Sequence, residues 1–295
     1  MFPLPSGQHK QVLPVILGLC ALLAGCGTSW FLHVSPQSFD GRLKLFLGGG
    51  GNVAVLLQGR GDALVLDTKF GDFSRRLRRE VEEELARKVR RIVLTHAHFD
   101  HAGGLDLFPG VGVVLVHPKA RKRLEAGGVR APFIDVEGEV RILVDGDEVR
   151  VLSVGSGHTD GDLVALIVGR RLLVAGDLIN NGFEPYCDPK YGGDILELAH
   201  TLPRVMALPF DQIVPGHGEV MPRAKAQLLS DYLQALEADV RAARAQGMTE
   251  DQVVATVTVP QYPLERFLGL VSSRQGSVHA MFQSLARAAN PAVMQ

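Results

Sequence analysis

The sequence predicts an α/β fold with a helical C-terminal extension, and three observations lead there. Short apolar runs of strand length recur between Leu43 and Val174, with helical patterns between and after them. Those runs end repeatedly at a glycine, an aspartate or a histidine. Beyond Pro215-Gly216-His217-Gly218 the composition shifts to strong helix formers.

Each element has its own signal. Leu43-Lys44-Leu45-Phe46-Leu47 alternates as a strand does, and the glycines 48–51 make a turn. Residues 52–58 and 62–66 form a hairpin around Gly59-Arg60-Gly61, with Asp67 at its end. Phe73, Leu77, Val81 and Leu85 fall at helical spacing within a charged stretch, which predicts an exposed helix over 73–88. Strands are expected at 91–94, 111–116, 140–144, 148–154, 163–168 and 171–174, with a helical turn at 105–108 and a helix over 195–206. In the tail, Leu228, Leu229, Tyr232, Leu233, Leu236 and Val240 lie on one stripe, and further helices are expected over 250–257 and 264–285. The organisation predicted is a leader over 1–25, a tether over 26–42, the α/β domain over 43–222 and a helical region over 223–295.

At 295 residues and 46% hydrophobic content the chain is large enough to bury a substantial core. A formal net charge of -1 provides no basic field for collecting phosphates, so no nucleic-acid partner is expected. The stretch 12–23 is apolar and follows Lys10. It is too short to span a bilayer, which takes about 20 helical residues, and fits the apolar region of a signal peptide. Leu23-Ala24-Gly25-Cys26 resembles a bacterial lipobox, which implies cleavage before Cys26 and acylation of that cysteine. The protein is then expected in the cell envelope, lipid-anchored at Cys26 and facing outside the cytoplasm. Gly27 is not the aspartate of a retention signal, so an outer membrane is expected if the cell has two. Of the 3 cysteines this leaves Cys187 alone as a packing residue, without a disulfide partner.

The chemistry is concentrated in His96-Ala97-His98-Phe99-Asp100-His101. Four metal-capable side chains in one short run at a strand end can be turned into a single cavity. Imidazoles and carboxylates suit zinc, iron or manganese, and the lack of thiolates argues against a purely structural zinc site. Further on, His158, Asp177 and His217 each follow an apolar strand and stand beside glycine, which permits close backbone approach.

In order and spacing, from Leu43 to Gly218, these residues resemble the metallo-β-lactamase superfamily. The resemblance implies an αββα four-layer sandwich with two divalent metal ions, zinc above all, at the sheet ends. It implies that His96, His98 and His158 hold one ion, that Asp100, His101 and His217 hold the other, and that Asp177 bridges them. Asp67 would orient ligands from behind. His33, His117, His200 and His279 are read as ordinary structural or surface histidines. Asp160 and Asp162 are expected to shape the His158 loop, and Tyr186 and Tyr191 to lie where substrate contacts occur.

The implied mechanism is hydrolysis of an ester, lactone, thioester or related bond of a small molecule. A hydroxide shared by ions about 3.5–4 Å apart is the nucleophile. Asp100 is its carboxylate partner and the proton shuttle to the leaving group. β-Lactamases of the superfamily place Cys or Ser where this chain has Asp177, so β-lactam hydrolysis is the first alternative. An iron-dependent oxidoreductase of the persulfide dioxygenase kind is the second; its single iron would leave Asp100 and His101 without a second ion. A non-catalytic relative would have eroded ligands, and all seven positions are filled.

Overall fold

The computed structural model describes residues 33–59, 61–258 and 274–290. The expected leader and Cys26 lie outside the described residues, as do residues 264–273 of the last expected helix.

Two mixed sheets form the body. The first sets β1 (Ser35–Ser38), β2 (Leu43–Leu47), β3 (Val53–Gln58), β4 (Asp62–Leu66), β5 (Lys88–Val93), β6 (Val113–Val116) and β7 (Phe133–Asp135) side by side in chain order. Pairing is antiparallel up to β4 and parallel from β4 to β7. The second contains β8 (Glu139–Val144), β9 (Asp147–Leu152), β10 (Val164–Ile167), β11 (Leu172–Gly176), β12 (Gln212–Pro215) and β13 (Met221–Pro222), with order β13-β12-β11-β10-β9-β8. Its one parallel pair is β11 with β12.

The unbroken apolar runs are explained by burial on both faces. On β2 and β3, Leu43, Leu45, Ala54 and Leu56 face the other sheet, while Phe46, Val53 and Val55 pack outward. On β10, Ala165 and Ile167 face inward, and Val164 and Leu166 outward. The outer face of the first sheet is covered by α1 (Gly71–Arg79) and α3 (Pro118–Ala126), through Leu77, Ala120 and Leu124. The second is covered by α4 (Ile195–Met206), α5 (Arg223–Ala245), α6 (Glu250–Thr256) and α7 (Arg274–Ala289). The result is helix, sheet, sheet, helix, as expected.

Several boundaries differ from the sequence reading for identifiable reasons. The helix expected over 73–88 is α1 followed by a π-helical turn, Glu80–Glu84. Ala86 then adopts a left-handed φ of 50°, and the Lys88 N–H donates to Gly61 O at 2.7 Å, so strand pairing takes the last residues. Residues 35–38, within the predicted tether, pair with β2. α3 and β7 were not anticipated; α3 begins at Pro118, with His117 Nδ1 accepting from the Lys119 N–H. Leu228 stands outside the buried stripe of α5 and is exposed, whereas Leu229, Tyr232, Leu233, Leu236 and Val240 are buried.

Candidate metal centre

The functional candidates meet at one end of the two facing sheets, in the loops that follow their interior strands. His96, His98, Asp100 and His101 follow β5, and Asp67 follows β4. His158 sits between β9 and β10, Asp177 just after β11, and His217 just after β12. The ends are stitched across the sandwich: Leu163 N–H donates to Thr95 O at 2.7 Å, and Asn52 N–H donates to Gly216 O at 2.8 Å. A short helix, α2 (Phe99–Ala102), lets residues 98–101 present side chains within one turn.

All seven predicted side chains come together. Three sets, His96/His98/His158, His96/His101/Asp177 and Asp100/His101/His217, have donor atoms within 4.8 Å of one another. Asp177 touches both ends of the array: Oδ1 is 3.1 Å from His101 Nε2, and Oδ2 is 3.3 Å from His217 Nε2 and 3.6 Å from His158 Nε2. Asp100 Oδ2 is 3.3 Å from His217 Nε2.

The hydrogen bonds behind the imidazoles decide which nitrogens face inward. Thr95 Oγ1 donates to Asp67 Oδ2 at 2.7 Å, a bond in which the carboxylate can only accept. Its oxygen is therefore left to accept from His96 Nδ1, 3.0 Å away, and His96 Nε2 carries a lone pair. His101 Nδ1 donates to the same Asp67 oxygen at 2.8 Å. His98 Nε2 donates to Asp188 Oδ2 at 3.0 Å, and His158 Nδ1 donates to Tyr186 O at 2.7 Å. His98 Nδ1 consequently lies 3.1 Å from His96 Nε2 and 2.8 Å from His158 Nε2, lone pair toward lone pair.

Three inward lone pairs with no proton between them repel unless a cation sits among them. Burial holds the His96 pKa well below its ordinary value and lowers that of His98, so protons do not fill that role. At the other end the charge pattern is complementary. Burial opposes ionisation of Asp177 and Asp100, but the neighbouring histidines prevail, His217 first for Asp177 and His101 first for Asp100. Asp177 is held well below the carboxylate range and Asp100 falls to about 2. Burial likewise opposes charge on His101 and His217, and the carboxylates outweigh it: His101 is raised well above its ordinary value and His217 to about 9. Nε2 of His101 and Oδ1 of Asp177, both buried, make no hydrogen bond despite their proximity. This donor set fits divalent cations: neutral imidazoles at one end, and carboxylates calling for positive charge at the other.

Close approach is built into the glycines. A Cβ on Gly216 would overlap Asp177 Oδ1, and one on Gly51 would overlap the His101 ring. Aromatic rings surround the centre, with Tyr191 against His98 at 4.5 Å between centroids, Tyr186 against His158 at 5.8 Å and Phe183 near His217 at 6.3 Å. Phe99 is 67% exposed beside them. The remaining histidines stay apart: His200 pairs with Glu237, His279 with Glu250, and His33 is exposed. Asp162 accepts from the Thr159 N–H and hydroxyl, and Asp160 pairs with Arg123, so both shape the loop around His158. Cys187 is a free thiol packed against the outer core of the second sheet. Thr95 and Asp188 escaped the sequence reading. Thr95 adjoins His96 and was open to inspection, whereas Asp188 lies 90 residues from His98, with no spacing to mark it.

The family model described as the metallo-beta-lactamase superfamily matches residues 47–217, more than half of the chain. Among curated relatives, a metallo-beta-lactamase type 2 of Bacillus cereus is 24% identical over 176 residues, covering 58% of this chain and 68% of its own. An acyl-coenzyme A thioesterase of Homo sapiens is 28% identical over 186 residues, covering 52% and 66%. Among solved structures, a metallo-beta-lactamase from Pontibacter korlensis superposes with a TM-score of 0.61 at 17% identity, over 68% of this chain and 99% of that one. Two facing sheets, the ordered histidines and aspartates at their ends and the match across 47–217 together establish that this chain belongs to the metallo-β-lactamase superfamily.

Proposed function

We propose that the protein is a two-metal hydrolase cleaving an ester, thioester, lactone or related bond of a small molecule. The observation that carries this reading is Asp177, whose Oδ2 lies 3.6 Å from His158 Nε2 at one end of the array and 3.3 Å from His217 Nε2 at the other. His96, His98 and His158 would hold one ion, Asp100, His101 and His217 the other, and Asp177 both. Zinc suits this imidazole-rich set, and iron and manganese accept the same donors. Bound there, such ions would supply Lewis acidity to a substrate oxygen and lower the pKa of water.

The chain's own residues do the rest. Asp67 and Thr95 fix the imidazole tautomers at His101 and His96. Asp100, ionised and 18% exposed in its side chain, is placed to take a proton on Oδ2 and return it to the leaving group. Tyr191, Tyr186 and Phe183 pack near His98, His158 and His217, and Phe99 is exposed beside them, which favours a substrate with an apolar or aromatic portion beside the scissile bond.

Metal analysis of purified protein followed by a panel of lactone, ester, thioester and β-lactam substrates tests the reading. Two ions per chain with turnover of a carboxylic ester, thioester or lactone are expected. A single iron with oxygen uptake, or turnover of β-lactams alone, overturns it. Asp100→Ala should fold with native circular dichroism and lose at least about 100-fold in kcat, the usual scale of positioned acid–base catalysis. We also propose a lipid anchor at Cys26, supported by the motif Leu23-Ala24-Gly25-Cys26. Cys26→Ser should then release the protein from the membrane fraction and abolish incorporation of labelled palmitate.

A further inference from the structure

Residues 177–194, between β11 and α4, begin at one candidate ligand and hold three others. Asn180 Oδ1 accepts from the His217 N–H at 2.7 Å, and the Asn181 N–H donates to His217 O at 2.9 Å. Tyr186 O accepts from His158, and Asp188 Oδ2 from His98. Yet the only regular structure among these residues after β11 is a single 3-10 turn, Pro189–Tyr191. The backbone of the loop is tied to the body at Asp188, whose N–H donates to His158 O at 2.8 Å, and at Asp194, whose N–H donates to Gly157 O at 2.9 Å; ahead of them, around Glu184, side chains add an external frame.

The tail provides that frame at two points. Glu184, 7% exposed, accepts on Oε1 from the hydroxyl of Tyr232 on α5 and from Ser277 Oγ on α7, the latter at 2.6 Å. Tyr232 and Ser277 are each 2% exposed. Ten residues on, Asp194 caps α4 by accepting from the Leu196 N–H at 2.8 Å. It also accepts from Ser284 Oγ and Arg287 Nη2 on α7, the latter at 2.7 Å. Helix packing alone would be served better by apolar side chains, because burying a carboxylate is costly unless every partner is in place. A carboxylate at 184 makes sense where direction matters, since its acceptor geometry fixes where the loop crosses the helices.

We propose that Glu184 is a positioning residue of the metal centre, through which Tyr232 and Ser277 of the C-terminal helices hold the loop that orients His98, His158 and His217. This rests on the reading that the centre binds metal. The helical tail then supports the metal site as well as covering the second sheet.

The test uses the full chain and four proteins: wild type, Glu184→Ala, Glu184→Gln, and Leu236→Ala as a core control on the same helix. Zinc affinity is read by competition with a chromophoric chelator, the ligand field by the visible spectrum of the cobalt-loaded protein, and stability by melting of the metal-free protein. Expected are an affinity loss of about 10-fold or more and an altered cobalt spectrum in Glu184→Ala, the scale seen for groups that orient metal ligands. Glu184→Gln, which keeps an acceptor oxygen, should recover most of it. Leu236→Ala should melt lower with wild-type affinity and spectrum. If Glu184→Ala does not fold, the double variant Tyr232→Phe, Ser277→Ala makes the same comparison. Wild-type zinc affinity and cobalt spectrum in the variant that removes the tie overturn the proposal, as does an equal affinity loss in Leu236→Ala. Wild-type protein that takes up neither zinc nor cobalt overturns the metal reading itself, and this assignment with it.

Discussion

Thr95 shows how a single hydroxyl can decide the chemistry of its neighbour. Because its proton goes to Asp67, its oxygen is left to accept from His96, and one carboxylate sets the tautomers of two candidate ligands. Thr95→Val keeps the shape and removes the relay. The variant should fold and lose zinc affinity by about 10-fold, measured by chelator competition; unchanged affinity would show that His96 needs no such direction. Gly216 makes a second case. Its missing Cβ leaves room for Asp177 Oδ1, so Gly216→Ala should push the Asp177 carboxylate aside and, on the two-metal proposal, cut metal content below two ions per chain, as read by elemental analysis. At this scale the sequence is legible where ligands are contiguous. His96 to His101 declare themselves by density, while Asp177 and His217 are identified only through their order and their glycines. Asp188 and Glu184 cannot be found that way, because their partners lie 90 and 48 to 93 residues distant and no periodicity relates them.

Among elements, strands were easier to read than their ends. Runs such as Val53–Gln58 and Val164–Ile167 are apolar on both faces because both faces are covered, and that pattern survives in the sequence alone. β1 and β7 are sheet edges with mostly exposed residues, so they carry no apolar signature. The helical tail was legible as helix, but its docking was not, since that depends on pairs such as Asp194 with Arg287. This pair predicts a pH effect. Burial opposes the charge on Asp194, but its bonds to Ser284, Arg287 and the α4 N–H groups prevail and hold its pKa below the ordinary 3.8. A carboxylate depressed in the folded state contributes stability above its unfolded pKa and loses it as pH falls through the folded one. Asp194→Ala should therefore cost about 1 kcal/mol near neutral pH, the usual value of a lost helix cap. The gap in melting temperature to the wild type should close as pH drops below 3.8. A gap that persists unchanged at pH 2 to 3 would place the contribution in packing and not in the ionised carboxylate.

For the whole molecule, the centre lies on the seam between two sheets that otherwise meet through an apolar interior. His96, His98, Asp100 and His101 come from the first sheet, and His158, Asp177 and His217 from the second. An ion held by both sides would bind the folded sandwich and not the separated halves, so metal should stabilise the fold by linkage. At free zinc about 100 times Kd the gain is about 2.7 kcal/mol per site. For a domain of this size each kcal/mol moves the melting temperature by about 2–4 °C. Chelation should accordingly lower the transition by about 5–10 °C, more if both ions bind tightly, and readdition of zinc should restore it. His158→Ala and His98→Ala should each remove a similar share of the shift although they sit on opposite sheets, because the ion needs both. If metal binds with the same stoichiometry but leaves the transition where it was, the seam is already held without it. The stitching bonds from Leu163 to Thr95 and from Asn52 to Gly216 would then be what joins the two sheets at this end.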